Sequence, residues 1–357
     1  MKVLAVNSSA RKGGQSKTEW MLDHLVKGMV SAGAEVNVVN LRDKKIKYCT
    51  GCFSCWTKTP GKCILQDDMT KELFSQLVAS DLVVYATPLY HHTVNAHMKT
   101  FIERSLPAAQ PFFEKNKAGK TRHPLRYDMG RAVVVSVAGF PEYSAFDQLS
   151  HYVRFLFGER LAAEIYRPAA ESLMQPGGGK KRVAIAGALQ DAGRELVQQS
   201  TVSPATMERV NQPVASNVEQ FQELGNLFWK TCINEGVTPK QFAEKGMIPR
   251  PDSLQTFMLL SKMGFNRKGA GDIEATLQYR FSGAVEGGCY FSIDKGSISA
   301  EEGFCEDASL TIDTPFDMWM DIMTGKVDGQ AMFMEQKYSV EGDLELLLKM
   351  GELFGRS

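Results

Sequence analysis

The run Lys2-Val3-Leu4-Ala5-Val6, followed by Asn7-Ser8-Ser9-Ala10-Arg11-Lys12-Gly13-Gly14-Gln15-Ser16, decides how the rest of the sequence is read. A short apolar segment stops at small polar residues, and over 16–32 the apolar positions Trp20, Met21, Leu25 and Met29 recur at helical spacing. Strand, loop and helix are expected in that order, with Gly33 just past the helix end and a second strand over 35–41. The unit repeats. Helices are expected over 69–79, 94–106 and 145–157, buried strands over 82–86 and 132–138, an edge strand over 163–166, and two later helices over 183–199 and 214–235. Strands as uniformly apolar as Val83-Val84-Tyr85 and Val133-Val134-Val135, alternating with helices, belong in a parallel sheet covered on both faces, so the fold class is α/β.

Beyond 236 the pattern changes. Pro239, Gly246, Pro249 and Pro251 mark 237–262 as a linker. Then Ile273, Ala275, Leu277, Tyr279 and Phe281 alternate with Glu274, Thr276, Gln278 and Arg280, the period of a strand with one buried and one wet face. Cys289, Phe291 and Ile293 continue the alternation, Asp294-Lys295-Gly296-Ser297 reads as a hairpin turn, and Thr314 reads as the N-cap of a helix that Gly325 ends. The expected division is a domain at 1–236, a linker at 237–262 and a smaller α+β domain at 263–357.

At 43% hydrophobic and 23% charged, the composition is that of an ordinary globular protein. The 41 basic and 41 acidic residues cancel, yet 263–357 holds 8 basic against 17 acidic, net −9, which leaves net +9 for the rest. A neutral total gives no reason to expect nucleic acid as a partner, and no window approaches the roughly 18 apolar residues of a transmembrane segment. The apolar start is too short for a signal peptide, and the seven cysteines do not read as a secreted disulfide framework; the expected location is cytoplasmic.

Three loops carry chemistry at expected strand ends. The first, 7–16, offers hydroxyls, two glycines and two cations at a helix N-terminus, where a phosphate monoester would find backbone N–H donors and an arginine; an ordinary capped loop would hold the same residue types. Neither GxGxxG nor a Walker pattern is present, which disfavours a dinucleotide fold or an NTPase. The second is Thr87-Pro88-Leu89-Tyr90, a rigid turn with an aromatic, followed by His91 and His92, either of which could donate a proton to a reduced substrate. The third is Ala138-Gly139-Phe140-Pro141-Glu142.

These loops resemble those of the flavodoxin-like NADPH-dependent FMN reductases, over about 1–235. The resemblance implies a doubly wound parallel sheet of order 2-1-3-4-5 with FMN at its switch point, bound through Ser9, Arg11, Gln15, Ser16, Thr87, Pro88, Leu89, Tyr90, Gly139 and Phe140. Ser9 and Arg11 match the family's first loop, Gly-Ser-Pro-Arg and then Asn-Thr, whereas Ser8, Ala10, Gln15 and Ser16 depart from it, Gln15 and Ser16 keeping the donors. NAD(P)H as electron donor, a small-molecule electron acceptor and a homo-oligomer are further implications.

Cys49, Cys52 and Cys55 stand at CxxCxxC spacing, with Cys63 after the Pro60-Gly61 turn. Such spacing can bring thiolates together on one cuboidal cluster; free thiols and structural zinc are the alternatives, zinc usually separating two CxxC pairs by about a dozen residues. The arrangement is similar to the compact cysteine motif of the iron-sulfur flavoproteins, which implies a [4Fe-4S] cluster.

In the last part, Met318, Met320, Met323, Met332, Met334 and Met350 join Phe316, Trp319, Phe333, Leu347 and Leu348, a deformable apolar set that suits either a core or a cavity for flexible chains. Met323-Thr-Gly-Lys-Val-Asp-Gly-Gln-Ala-Met-Phe and Lys337-Tyr-Ser-Val-Glu-Gly-Asp343 resemble the sterol carrier protein-2 (SCP2) domain, over about 265–354, which implies a lipid or sterol-like ligand. The expected protein is an FMN-dependent NAD(P)H oxidoreductase with an SCP2-like domain behind it; the alternative is a lipid carrier whose flavodoxin-like half is regulatory or inactive.

Overall fold

In the computed structural model, residues 1–12, 14–116, 119–174, 179–214 and 217–355 are described. The chain forms two compact units, Met1–Val218 and Glu219–Ser357.

Unit one runs β1 (Lys2–Asn7), α1 (Lys17–Ser31), β2 (Glu35–Asn40), α2 (Phe74–Ala79) behind a π-helical turn at Met69–Leu73, β3 (Leu82–Pro88) and α3 (Ala96–Glu103). A two-residue hairpin, β4 (Glu114–Lys115) with β5 (Thr121–Arg122), precedes β6 (Arg131–Val137), α4 (Asp147–Phe157), β7 (Leu161–Arg167), α5 (Gly179–Gln199) and α6 (Pro204–Val210). Five strands form one sheet in the order β2-β1-β3-β6-β7, every neighbouring pair parallel. With the hairpin set aside this is the flavodoxin-like order 2-1-3-4-5. Alternate residues of the central strands feed two cores. Val3, Ala5, Val84 and Val135 meet α1 and α5 on one face, while Leu4, Val6, Val83 and Val134 meet α2, α3 and α4 on the other. Glycine lets α1 and α5 approach closely, since a Cβ at Gly28 would lie 1.9 Å from the Gln190 carbonyl oxygen and one at Gly193 2.1 Å from that of Leu25.

Unit two begins at Glu219, so 237–262 lies inside it and carries one helix and most of another. It runs α7 (Val218–Asn234), α8 (Pro239–Glu244), α9 (Leu254–Gly264), α10 (Arg267–Ala270), β8 (Glu274–Ser282), β9 (Gly287–Asp294), β10 (Ser297–Glu302), β11 (Leu310–Pro315), α11 (Phe316–Met323), α12 (Gly329–Met334), β12 (Ser339–Gly342) and α13 (Leu344–Phe354). The prolines taken as linker marks lie at or before helix starts. Thr238 caps α8 with Pro239 in its first turn, and Ser253 caps α9 just after Pro251, each in a reciprocal capping box. Leu254 and Phe257 of α9 are buried in the unit's core.

The mixed sheet, order β10-β9-β8-β11-β12, pairs β8 antiparallel with β9 and parallel with β11. The hairpin turn falls where expected, with Lys295 and Gly296 both at positive φ. Two expectations are corrected. Gln278 is not on a wet face: it is fully buried, its Nε2 donating to the carbonyls of Cys289 (3.1 Å) and Gly303 (3.2 Å) and its Oε1 accepting from the Cys305 N–H at 2.7 Å. The segment 303–305 covers this point of an otherwise open face, and the buried amide is tolerated because it is bonded. Thr314 does not cap the helix but continues β11, and Pro315 takes the cap position before Phe316. Phe316, Trp319 and Met320 are core, whereas Met334 and Leu348 stay exposed. Among the described residues no helix is long and apolar enough to cross a membrane.

Candidate functional site

The three loops meet beyond the carboxyl ends of β1, β3 and β6. In the first, Ser16 caps α1 by accepting from the Glu19 N–H at 3.0 Å and donates to Ser9 Oγ at 2.8 Å. The Ser9 N–H donates to Asn7 Oδ1 (3.0 Å) and the Arg11 N–H to Ser9 Oγ (3.3 Å). Ser9 and Ser16 are buried, while Arg11 and Gln15 are exposed. The Arg11 guanidinium pairs with Glu171 at 3.3 Å, and Lys17 pairs with the same carboxylate. Arg42 braces the loop from behind, donating to the carbonyls of Ser9 (3.3 Å) and Arg11 (3.0 Å) and to Glu19 at 2.8 Å.

Hydrogen bonds join the loops in sequence. The Ser8 N–H donates to the Ala86 carbonyl (2.9 Å), Asn95 Nδ2 to the Ser8 carbonyl (2.7 Å), and the Leu89 N–H to the Val137 carbonyl (2.9 Å). Thr87 is fully buried, its hydroxyl accepting from the Asn95 N–H (3.2 Å) and donating to the Pro88 carbonyl (3.1 Å). Pro88 is buried and Leu89 packs against the core, so of the Thr87–Tyr90 side chains only Tyr90 stands exposed. Gly139 and Phe140 are exposed as well. His91 and His92 both hold positive φ, a costly conformation for a side chain with a Cβ, and the His92 ring stacks on Phe140 with centroids 5.7 Å apart. A capped helix N-terminus flanked by cations, with exposed aromatics on the neighbouring loops, suits an anionic group joined to a flat ring.

Sequence reading missed Asn95, Arg42 and Glu171. Asn95 was detectable as the N-cap before α3. Arg42 and Glu171 were not, because their roles depend on contacts 23 or more residues away in the chain.

The cysteine segment forms a second site in the same unit. Cys49, Cys52, Cys55 and Cys63 line one pocket with Phe53, Ile64, Arg104 and Pro107. Gly51 and Phe53, at positive φ, flank Cys52. Burial pushes the Cys55 thiol pKa up, followed by the charges of Cys63, Cys49 and Cys52, so the other three sulfurs lie within electrostatic reach of Cys55. Behind the pocket is a buried ion pair: Arg104 donates to Asp67 at 2.6 and 3.1 Å, with both side chains 2% exposed or less. Among the described residues no group of three or more His, Cys, Asp or Glu is disposed to hold a metal ion. Four thiols around one pocket are the donor set that a cuboidal cluster would take, each thiolate on its own iron.

Comparison with known proteins follows the same division. Residues 1–152 match the family model of NADPH-dependent FMN reductases, and residues 266–355 match that of the SCP-2 sterol transfer family. An iron-sulfur flavoprotein of Archaeoglobus fulgidus is 39% identical over 142 residues, 40% of this chain and 58% of that protein. One from Methanocaldococcus jannaschii is 30% identical over 119 residues, 33% of this chain and 59% of that protein. The chain thus spans under two thirds of these relatives' length. Among solved structures, an NAD(P)H:quinone oxidoreductase from Methanothermobacter marburgensis is similar with a TM-score of 0.42 at 18% identity, covering 55% of this chain and 96% of that one. An azoreductase from Bacillus anthracis is similar with a TM-score of 0.40 at 16% identity, covering 56% of this chain and 99% of that one.

Proposed function

We propose that this protein is an FMN-dependent NAD(P)H oxidoreductase. The observation that carries the reading is the convergence of the β1, β3 and β6 loops at the β1/β3 switch point, where an open sheet of this order presents its ligand crevice. FMN bound there supplies hydride acceptance from a nicotinamide and onward delivery of electrons to a small-molecule acceptor. Ser9, Arg11, Gln15, Ser16 and the α1 N-terminus hold the phosphate; the backbone of 87–90, with Tyr90, Gly139 and Phe140, holds the ring. His92, stacked on Phe140 and bonded to the Ala145 carbonyl (3.1 Å), is the candidate proton donor.

Two further assignments belong to this reading. Cys49, Cys52, Cys55 and Cys63 hold an iron-sulfur cluster, a one-electron carrier beside a two-electron cofactor; the names of the archaeal relatives support this. Unit two takes a lipid or sterol-like molecule, supported by its family match. The deciding experiment is anaerobic mixing of FMN-loaded protein with NADH or NADPH. Rapid bleaching of the flavin by either is expected, and an unchanged flavin with both overturns the oxidoreductase reading.

A further inference from the structure

Arg104 is the C-cap residue of α3, and its side chain points into the protein, 1% exposed. Four acceptors serve its terminal nitrogens: Nη1 donates to Asp67 Oδ2 (2.6 Å) and the Lys47 carbonyl (2.7 Å), and Nη2 to Asp67 Oδ1 (3.1 Å) and Thr70 Oγ1 (3.2 Å). Asp67 is held in turn by the Lys47 N–H at 2.9 Å and the Thr70 N–H at 3.3 Å. The guanidinium is therefore fixed in position. Its Nε, buried, has no partner. Leaving such a donor unbonded costs about 1–3 kcal/mol, so the site favours an occupant that accepts.

The surroundings say which occupant. Arg104 lines the pocket formed by the four cysteines, whereas Asp67 does not. The ion pair is thus polarised toward the pocket, with its positive end beside the sulfurs and its negative end behind. Glu103 is the other charged residue in that lining, and Lys99 pairs with it. Arg104 is left as the charge facing the pocket without a counter-ion on that side.

We propose that Arg104 tunes the iron-sulfur cluster, donating Nε–H to a ligating sulfur, and that Asp67 is its positioning residue. The inference rests on the cluster reading above. A cluster that gains one electron gains one negative charge and takes up no proton from Arg104, so a fixed cation and a sulfur hydrogen bond both favour the reduced form. The pair biases the cluster toward accepting electrons.

The test uses the full chain purified without oxygen. Iron and sulfide are quantified, and the cluster is titrated with dithionite while the reduced form is followed by electron paramagnetic resonance. Asp67→Asn/Arg104→Gln removes both charges at the loss of some buried volume; the reduction equilibrium should become at least tenfold less favourable, a midpoint lower by at least about 59 mV. Arg104→Lys keeps the charge but not the Nε donor and should give a smaller drop. Iron-loaded variants with the wild-type midpoint overturn the proposal. If the double variant holds no iron, Arg104→Lys decides: a lowered midpoint supports tuning, and an unchanged one overturns it. Absence of iron from the wild type overturns the cluster reading itself, which the iron assay separates from a tuning failure.

Discussion

Ser16 Oγ donates to Ser9 Oγ across 2.8 Å while accepting from the Glu19 N–H, so one hydroxyl ties the start of α1 to the end of β1. The proposed phosphate seat is thereby built before any ligand arrives, and affinity need not cover the cost of ordering the loop. Ser16→Ala removes both contacts. It should destabilise unit one by about 1 kcal/mol and weaken FMN binding, as thermal denaturation with and without FMN would measure.

Arg11 does not wait unpaired. Glu171 holds it at 3.3 Å and also holds Lys17, so a phosphate must compete with a carboxylate for both cations. Arg11→Glu should weaken FMN binding by roughly tenfold to a hundredfold, the range of one charge-assisted hydrogen bond. Glu171→Gln should tighten it by a smaller factor. Flavin fluorescence titration reads both, and a Glu171→Gln protein that binds more weakly would show that the carboxylate supports the site.

Asp67 and Arg104 form a pair whose rupture strands a buried charge. Asp67→Asn should cost about 3–5 kcal/mol in denaturant unfolding. Burial alone would raise the Asp67 pKa, but the bonds from Arg104, Lys47 and Thr70 outweigh it and hold the carboxyl below its ordinary value. A depressed folded value gives stability that is complete above the unfolded pKa of about 3.9 and lost as pH falls through the folded one. The gap between wild type and Asp67→Asn should therefore be constant near neutral pH and shrink below about pH 4.

Thiol reactivity should rank the cysteines. Hydrogen bonds from the Ser54 backbone and side chain, and from Thr50, lower the pKa of the exposed Cys52, whereas burial raises that of Cys55 and pushes Cys289 up to about 12. In reduced, iron-free protein, iodoacetamide should label Cys52 before Cys55 and leave Cys289 untouched until unfolding. Peptide mass spectrometry follows the order, and early labelling would contradict the full burial of Cys289 on β9.

Phe257 carries the case that α9 belongs to unit two. Its ring meets those of Tyr279 (5.1 Å), Phe281 (5.2 Å) and Phe291 (5.7 Å) edge-on. Phe257→Ala should cost this unit about 3–5 kcal/mol, a loss that a linker residue would not produce.

What the sequence revealed and what it concealed have physical causes. The parallel sheet was legible because doubly covered strands are apolar throughout: the expected 82–86 and 132–138 became Leu82–Pro88 and Arg131–Val137. Lys295-Gly296 as a turn was legible because that role follows from local backbone chemistry. Prolines misled at 237–262, since the same residue that breaks a helix interior is welcome in its first turn. Gln278, Arg42 and the Asp67–Arg104 pair were invisible because buried polar residues are specified by distant partners, 37 positions apart for the ion pair. The first loop holds the hydroxyls that its sequence supplies, but its brace and its counter-ion come from elsewhere in the chain.

The central claim is that FMN occupies the β1/β3 switch point. Its most direct measurement is the flavin released by denaturing protein purified without oxygen, identified by chromatography and quantified per chain, with FMN titrated into any protein recovered empty. The account predicts FMN, close to one per chain after reconstitution, and a sharp drop in content for Arg11→Glu. A chain that retains no flavin and takes up none on titration, or that holds as much with Arg11→Glu as without it, would contradict the account.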